Sequence, residues 1–264
     1  MTLFQAIILA IIEGLTEFLP VSSTGHMIIG SALMGLQPSA FVKLFLIVIQ
    51  LGTILSVLVL YYKRFFKSLT FYYKLVVAAI PASILGILLN DYIDAALESP
   101  LVVAITLVLG GILLLFVDKW FNKPKVDDVA EISYKQSFMI GLYQCLALIP
   151  GMSRSASTIV GGMSQNLSRK VAAEFSFFLA IPMMFGASLI KLLKFFKEGN
   201  TFSSEEIQLL VVGNVVGFVV AIIAIKFFIG ILTKYGFKAF GWYRIIVGLI
   251  IIAVLVSGHE LQII

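Results

Sequence analysis

Residues 13–26 read Glu13-Gly-Leu-Thr-Glu-Phe-Leu-Pro-Val-Ser-Ser-Thr-Gly-His26, a polar, helix-breaking insert in an otherwise apolar stretch from about 3 to 36. Residues 134–166 repeat the pattern: an apolar helical run, the break Pro150-Gly-Met-Ser-Arg-Ser-Ala-Ser-Thr158, and a second short apolar run. Neither stretch fits a membrane span or a loop. This is the pattern of a re-entrant helical hairpin. Non-helical backbone at membrane depth survives only where protein or a water-filled cavity satisfies its polar groups, so each break is expected to line a cavity.

The surroundings support a membrane reading. The chain has 264 residues, 60% hydrophobic and 12% charged, with mean hydropathy +1.07. That is more apolar surface than a soluble core of this size can bury. Apolar runs near the roughly 20 residues that cross a bilayer recur at about 41–61, 72–90, 100–117, 171–190, 207–230 and 244–258. They predict an all-α polytopic membrane protein with about six spans, forming a single membrane domain over 1–264. The net charge of +5 is scattered over short loops, with no continuous basic face of the kind nucleic acid requires. Cys145 is the only cysteine, which excludes an internal disulfide and a Cys-based metal site. The apolar N-terminus lacks a basic leader and a small-residue cleavage site and is not read as a removable signal.

Loop charge gives an orientation. Lys63, Arg64, Lys67 and Lys74 are assigned to the first loop, and Lys119, Lys123, Lys125, Lys135, Arg169 and Lys170 flank the middle segment. Lys234, Lys238 and Arg244 are assigned to the last loop. The positive-inside rule makes these sides cytoplasmic. The Asp91, Asp94, Glu98 loop and the mixed-charge 191–206 loop then face outward, as do both termini.

The two hairpins are weak copies of each other. Pro20 and Pro150, Ser23 and Ser153, and Phe45 and Phe175 each lie 130 positions apart. The internal repeats run over about 3–117 and 134–258, and in each the short helix after the break is followed by a long span that begins near Lys43 or Lys170. An odd number of intervening spans inverts the second copy relative to the first. Hairpins inserted from opposite faces would bring both breaks together near the midplane.

The residues in the breaks suit phosphoryl transfer. Glu13 and Glu17 share a helix face, and two such carboxylates repel unless a cation, a shared proton or an arginine lies between them. A hard cation such as Mg²⁺, held by one or two carboxylates and substrate phosphate oxygens, fits. Otherwise one carboxylate caps backbone and the other reaches the interface. Pro20 ends the first helix, and Ser22, Ser23, Thr24 and Gly25 open the next with hydroxyls and N–H groups that attract phosphate, or simply with an N-cap. His26 is one of two histidines, the other being His259 near the outer C-terminal end. His26 is a candidate base for Ser23 or water, or a nucleophile itself. In the second break Arg154 suits phosphate oxygens; the alternative is an ion pair with Glu13 or Glu17 that fixes the hairpins together. Gly151, Ser153, Ser155 and Thr158 add a tight turn and donors. The apolar surround implies that the rest of the substrate is a lipid, so the constellation predicts hydrolysis of a lipid-linked pyrophosphate.

Other features have plainer readings. Glu174 and Gln50 either support the site or make helix–helix hydrogen bonds. Gly110, Gly111, Gly161, Gly162, Gly213 and Gly217 are assigned to close helix packing. The Phe-rich stretches 65–73 and 195–202 are read as interfacial belts.

Over nearly its full length the chain resembles the undecaprenyl pyrophosphate phosphatase family, also known for bacitracin resistance. The resemblance rests on EGLTEFLPVSSTGH from Glu13, PGMSRSAST from Pro150, FLIVIQLG from Phe45 and AAEFSFFLAIP from Ala172. It implies six spans plus two re-entrant hairpins, a homodimer, a location in the bacterial inner membrane and a site open to the periplasmic side. It further implies removal of the terminal phosphate of undecaprenyl pyrophosphate, with Mg²⁺ or Ca²⁺ dependence, returning the carrier to peptidoglycan synthesis. Glu13, Glu17, Ser23, Thr24, His26, Ser153 and Arg154 are the site positions it carries over. The chain departs from the family at Leu46, where Glu is frequent, and at Ala156, where Gly is common. SSTGH and SRS also resemble elements of the type 2 phosphatidic acid phosphatase superfamily, but that chemistry needs two histidines and none follows Arg154 until His259; the likeness is read as convergent. A competing expectation is a polyprenyl-phosphate transporter or flippase, since inverted repeats with broken helices characterise secondary transporters. A cation channel using Glu13 and Glu17 leaves Arg154 and His26 without a role.

Overall fold

The structure, a computed structural model, describes residues 1–65, 69–97 and 99–257, with Phe65 and Asp94 described by backbone alone. Lys67, Glu98 and His259 lie outside the described residues. Six helices are long and apolar enough to cross a membrane: α3 (Ala40–Leu60), α5 (Leu69–Leu88), α7 (Pro100–Trp120), α10 (Arg169–Lys197), α11 (Ser204–Tyr235) and α12 (Lys238–Val256). They match the six apolar runs. Four open on a serine, Ser39, Ser99, Ser168 and Ser203, whose hydroxyl accepts the third helical N–H and replaces a bond the helix end lacks. Short helices α4 (Tyr62–Phe65) and α6 (Asn90–Leu97) fill connections. No β-strand occurs among the described residues; an isolated bridge joins Val126 to Leu167.

The two interrupted stretches form α1 (Leu3–Thr16) with α2 (Ser23–Leu33), and α8 (Tyr134–Gln144) with α9 (Arg154–Ser164) after a 3-10 turn at Cys145–Leu148. Their details correspond at a spacing of 131. Thr2 and Gln5 form a capping box at the start of α1, and Ser133 and Gln136 form one at the start of α8. Gln5 Nε2 donates to the Met34 carbonyl, as Gln136 Nε2 does to that of Gln165. α2 and α9 begin after Ser22 and Ser153, so the second break is one residue longer after its proline than the spacing of the prolines indicates.

The hairpins are exchanged between the two halves: α1 packs on α11, and α8 packs on α5. α7 packs along α12, and α3 along α10 and α11. Close approaches fall at small residues, since a Cβ on Gly14 would meet the Gly217 carbonyl and one on Gly52 would meet the Asn214 backbone. The Gly52 N–H donates to Asn214 Oδ1 at 2.7 Å, tying α3 to α11. The largest apolar cluster surrounds Phe18, Phe175, Phe177, Phe178 and Phe228, which closes the space beside the first break.

Two charge assignments need correction. Arg244 is not in the last loop: α11 and α12 are joined by Gly236 and Phe237 alone, and Arg244 lies fully buried inside α12. Lys74 is a buried residue of α5 that donates to the Ala130 carbonyl at 2.8 Å. The 191–206 segment is helical as far as Lys197 and again from Ser204; within the Phe-rich stretch Phe195 is buried and stacks on Phe202, while Phe196 is exposed.

Candidate active site

Both breaks place a serine in an unusual conformation. Ser22 and Ser153, the N-caps of α2 and α9, have φ of 69° and 71°. That region costs a non-glycine residue roughly 1–3 kcal/mol and persists only where surroundings impose it. Each serine still caps its helix, Ser22 Oγ accepting from Gly25 N and Ser153 Oγ from Ala156 N. The turns bring the first residue of each helix, Ser23 and Arg154, to the same carboxylate.

Glu17 joins them. Its Oε2 accepts from Ser23 Oγ at 2.6 Å and its Oε1 accepts from Arg154 Nη2 at 2.8 Å. Arg154 Nη1 donates to the Ser176 carbonyl on α10 at 2.9 Å, and its guanidinium lies 5.9 Å from the Phe18 ring centre. Ser155 Oγ donates to the Phe18 carbonyl at 2.6 Å, a second link between the breaks. Thr158 shares a 2.6 Å hydrogen bond with Ser176 and bonds the Arg154 carbonyl, so it braces α9. Glu13, one turn before Glu17, is fully buried; neither of its oxygens meets an N–H or O–H donor, and its carboxyl lies against that of Glu17, close enough to share a proton with it. The charged groups facing it are Glu17 and Arg154. Two distant motifs therefore form one cluster of two carboxylates, a hydroxyl and a guanidinium, and the ion pair with Glu17 is present.

His26 stands apart from that cluster. Its Nδ1 lies 2.7 Å from the Ser22 carbonyl and its Nε2 lies 2.7 Å from the hydroxyl of Tyr243 on α12. It makes no hydrogen bond to Ser23, so the hydroxyl acceptor is Glu17 and not the histidine.

The family can now be set beside this geometry. Residues 6–250 match the model of the bacitracin resistance protein BacA family. The chain belongs to that family. It is 57% identical to an undecaprenyl-diphosphatase of Flavobacterium johnsoniae over the full length of both chains. It is 54% identical to one of Porphyromonas gingivalis, again over both full lengths, and 46% identical to one of Aquifex aeolicus, covering 95% of this chain and 97% of that one.

In this BacA-family chain a cavity of about 530 Å³ lies along one face of α2, lined there by Thr24, Met27, Ile28 and Ser31; Glu13, Glu17, Ser23 and Arg154 do not line it. Gln50 of α3 also lines it. Its rim carries Lys43, Lys191, Lys194 and Glu198. Ser31 Oγ is buried without a partner. Among the described residues no group of three or more His, Cys, Asp and Glu could hold a metal by itself. The donors do fit a hard divalent cation that takes its remaining ligands from phosphate and water, because Glu13 offers two buried oxygens that meet no N–H or O–H donor. Glu174 is elsewhere, paired with Arg64 at 3.3 Å, and does not support the site.

The residue that sequence reasoning missed is Arg244. Its five N–H donors meet five carbonyls: Leu107 and Thr106 of α7, Pro20 of the first break, and Gly151 and Met152 of the second. It clamps both strained turns to α7. A glycine makes room for it, since a Cβ on Gly110 would overlap Arg244 Nη2. Gly151, with φ +88°, is also confined, because a Cβ there would strike Thr106 Oγ1 and the Val103 carbonyl.

Proposed function

We propose that this chain hydrolyses undecaprenyl diphosphate to undecaprenyl phosphate and inorganic phosphate in the bacterial membrane, recycling the lipid carrier for peptidoglycan synthesis and conferring bacitracin resistance. The observation that carries this reading is the Ser23–Glu17–Arg154 chain of hydrogen bonds, which joins a hydroxyl, its proton acceptor and an anion-binding guanidinium across the two motifs. Relatives of the same length bear the name undecaprenyl-diphosphatase.

The geometry suits attack by Ser23 Oγ on the terminal phosphorus. The Oγ–P bond forms, the anhydride P–O bond breaks to release the polyprenyl monophosphate, and the hydroxyl proton passes to Glu17 Oε2. Water then cleaves the phosphoserine, giving inorganic phosphate and free Ser23. Arg154, with Ser22, Thr24, Gly25, Ser153, Ser155 and Thr158 around the two helix N-termini, positions the phosphates or the turns that hold them. Glu13 with Glu17 would hold Mg²⁺ or Ca²⁺, which when bound offsets the charge of the diphosphate.

The hairpins are read as re-entrant and related by inversion, supported by their exchange between the two halves. An opening to the periplasmic side is supported by the cavity rim, where Lys191, Lys194 and Glu198 belong to the outward-assigned connection. A homodimer is carried over from the family resemblance; its check is the mass of the detergent-solubilised protein. Exchanged broken hairpins also favour a second reading, movement of polyprenyl phosphate across the membrane.

The test is phosphate release by purified protein from undecaprenyl diphosphate, with and without divalent cation. Cation-dependent release that is lost in Arg154→Ala supports the hydrolase. Absent release, with lipid transfer in liposomes intact, leaves the transporter. Rapid quench with ³²P-labelled substrate should trap label on Ser23; label on His26, or none, redirects the mechanism to the histidine or to direct attack by water.

A further inference from the structure

Tyr243 lies on α12, outside both motifs, and next to the buried anchor Arg244. The Ser22 carbonyl can only accept a hydrogen bond, so the His26 Nδ1 that touches it carries the proton. In the neutral ring Nε2 then bears the lone pair, and the Tyr243 hydroxyl 2.7 Å away is the donor. The two rings are parallel within 1°, with centroids 5.5 Å apart. Both ring nitrogens are thus engaged, one by the strained first break and one by α12. The five carbonyl bonds of Arg244 fix the helix register and so the height of its neighbour.

We propose that Tyr243 is a positioning residue for the hydrolysis, acting through His26: its hydroxyl holds the imidazole, whose Nδ1–H is fixed by the Ser22 carbonyl, in one orientation against the first break. The proposal rests on the hydrolase reading. Tyr243 is 45% exposed and His26 only partly so, so the pair is accessible from outside the packed interior, on the face of α2 turned away from the Thr24–Ser31 row. A tyrosine placed only for packing would need its ring, whereas this role needs its hydroxyl.

The experiment is a double-mutant cycle on turnover of undecaprenyl diphosphate. Losing one hydrogen bond predicts that Tyr243→Phe lowers kcat about tenfold, with KM little changed. In a His26→Ala background the same substitution should change kcat by less than about twofold, as expected for residues acting as a unit. An undiminished loss in that background overturns the proposal. A second measurement needs no activity and so separates failure of this proposal from failure of the hydrolase reading. With two histidines in the chain, ¹⁵N-histidine labelling gives two ring systems, assigned with His26→Ala. His26 should show a protonated Nδ1 and a hydrogen-bonded lone pair on Nε2, and Tyr243→Phe should move the Nε2 resonance alone. An Nε2–H tautomer, or an Nε2 resonance indifferent to Tyr243→Phe, overturns it.

Discussion

Glu13 and Glu17 are one helical turn apart, yet their oxygens meet different surroundings. Glu17 accepts one bond at each oxygen, from Ser23 and from Arg154, whereas the Glu13 oxygens meet no N–H or O–H donor. Glu13→Gln should therefore remove the cation dependence and lower turnover at least about 100-fold, while the near-isosteric amide keeps the variant folded. Phosphate release across a Mg²⁺ titration checks this, and near-normal, cation-dependent turnover would remove Glu13 from the site. Arg154→Lys keeps a charge but loses the fork that reaches both Ser176 and Glu17. It should recover only a small fraction of the activity lost in Arg154→Ala, as kcat on both variants will show. These residue types and spacings were visible in the sequence. That Glu17, and not His26, accepts from Ser23 was not, because the positive φ of Ser22 turns the start of α2 in a way that composition does not encode.

At the scale of the element, α12 carries what the sequence concealed. A single arginine six residues into an apolar helix barely alters a hydropathy average, and its nearness to Lys238 drew it into the last loop. Its role becomes apparent only where α12 crosses α7 beside both breaks. Arg244→Met would remove the arginine's donors from the Pro20, Gly151 and Met152 carbonyls of the two breaks and cost roughly 3 kcal/mol or more, seen as a lower unfolding temperature in detergent together with lost activity. Gly110→Ala should reproduce part of that effect by displacing the guanidinium, although the residue is far from either motif in sequence. If Gly110→Ala leaves thermal stability and turnover unchanged, the clamp matters less than its five bonds suggest. The helices themselves were legible throughout, because a span must be long, apolar and self-satisfied in its backbone hydrogen bonds.

For the whole molecule, loop charge assigns Lys123 to the cytoplasm and Lys194 to the outside. Single cysteines at these exposed positions, on a Cys145→Ser background, should react with a membrane-impermeant maleimide at 194 and not at 123 in intact cells. The reverse pattern inverts the topology and moves the cavity mouth to the cytoplasmic side. The sequence by itself determined the six spans, the two broken hairpins and the chemical character of the site, because apolar length and the cost of placing charge in lipid leave few alternatives. Only the tertiary structure decided the pairings: Arg154 on Glu17, Tyr243 on His26 and Arg244 across both breaks. These contacts join residues more than 90 positions apart, and their geometry follows from which helices pack together, a property that no local stretch of sequence contains.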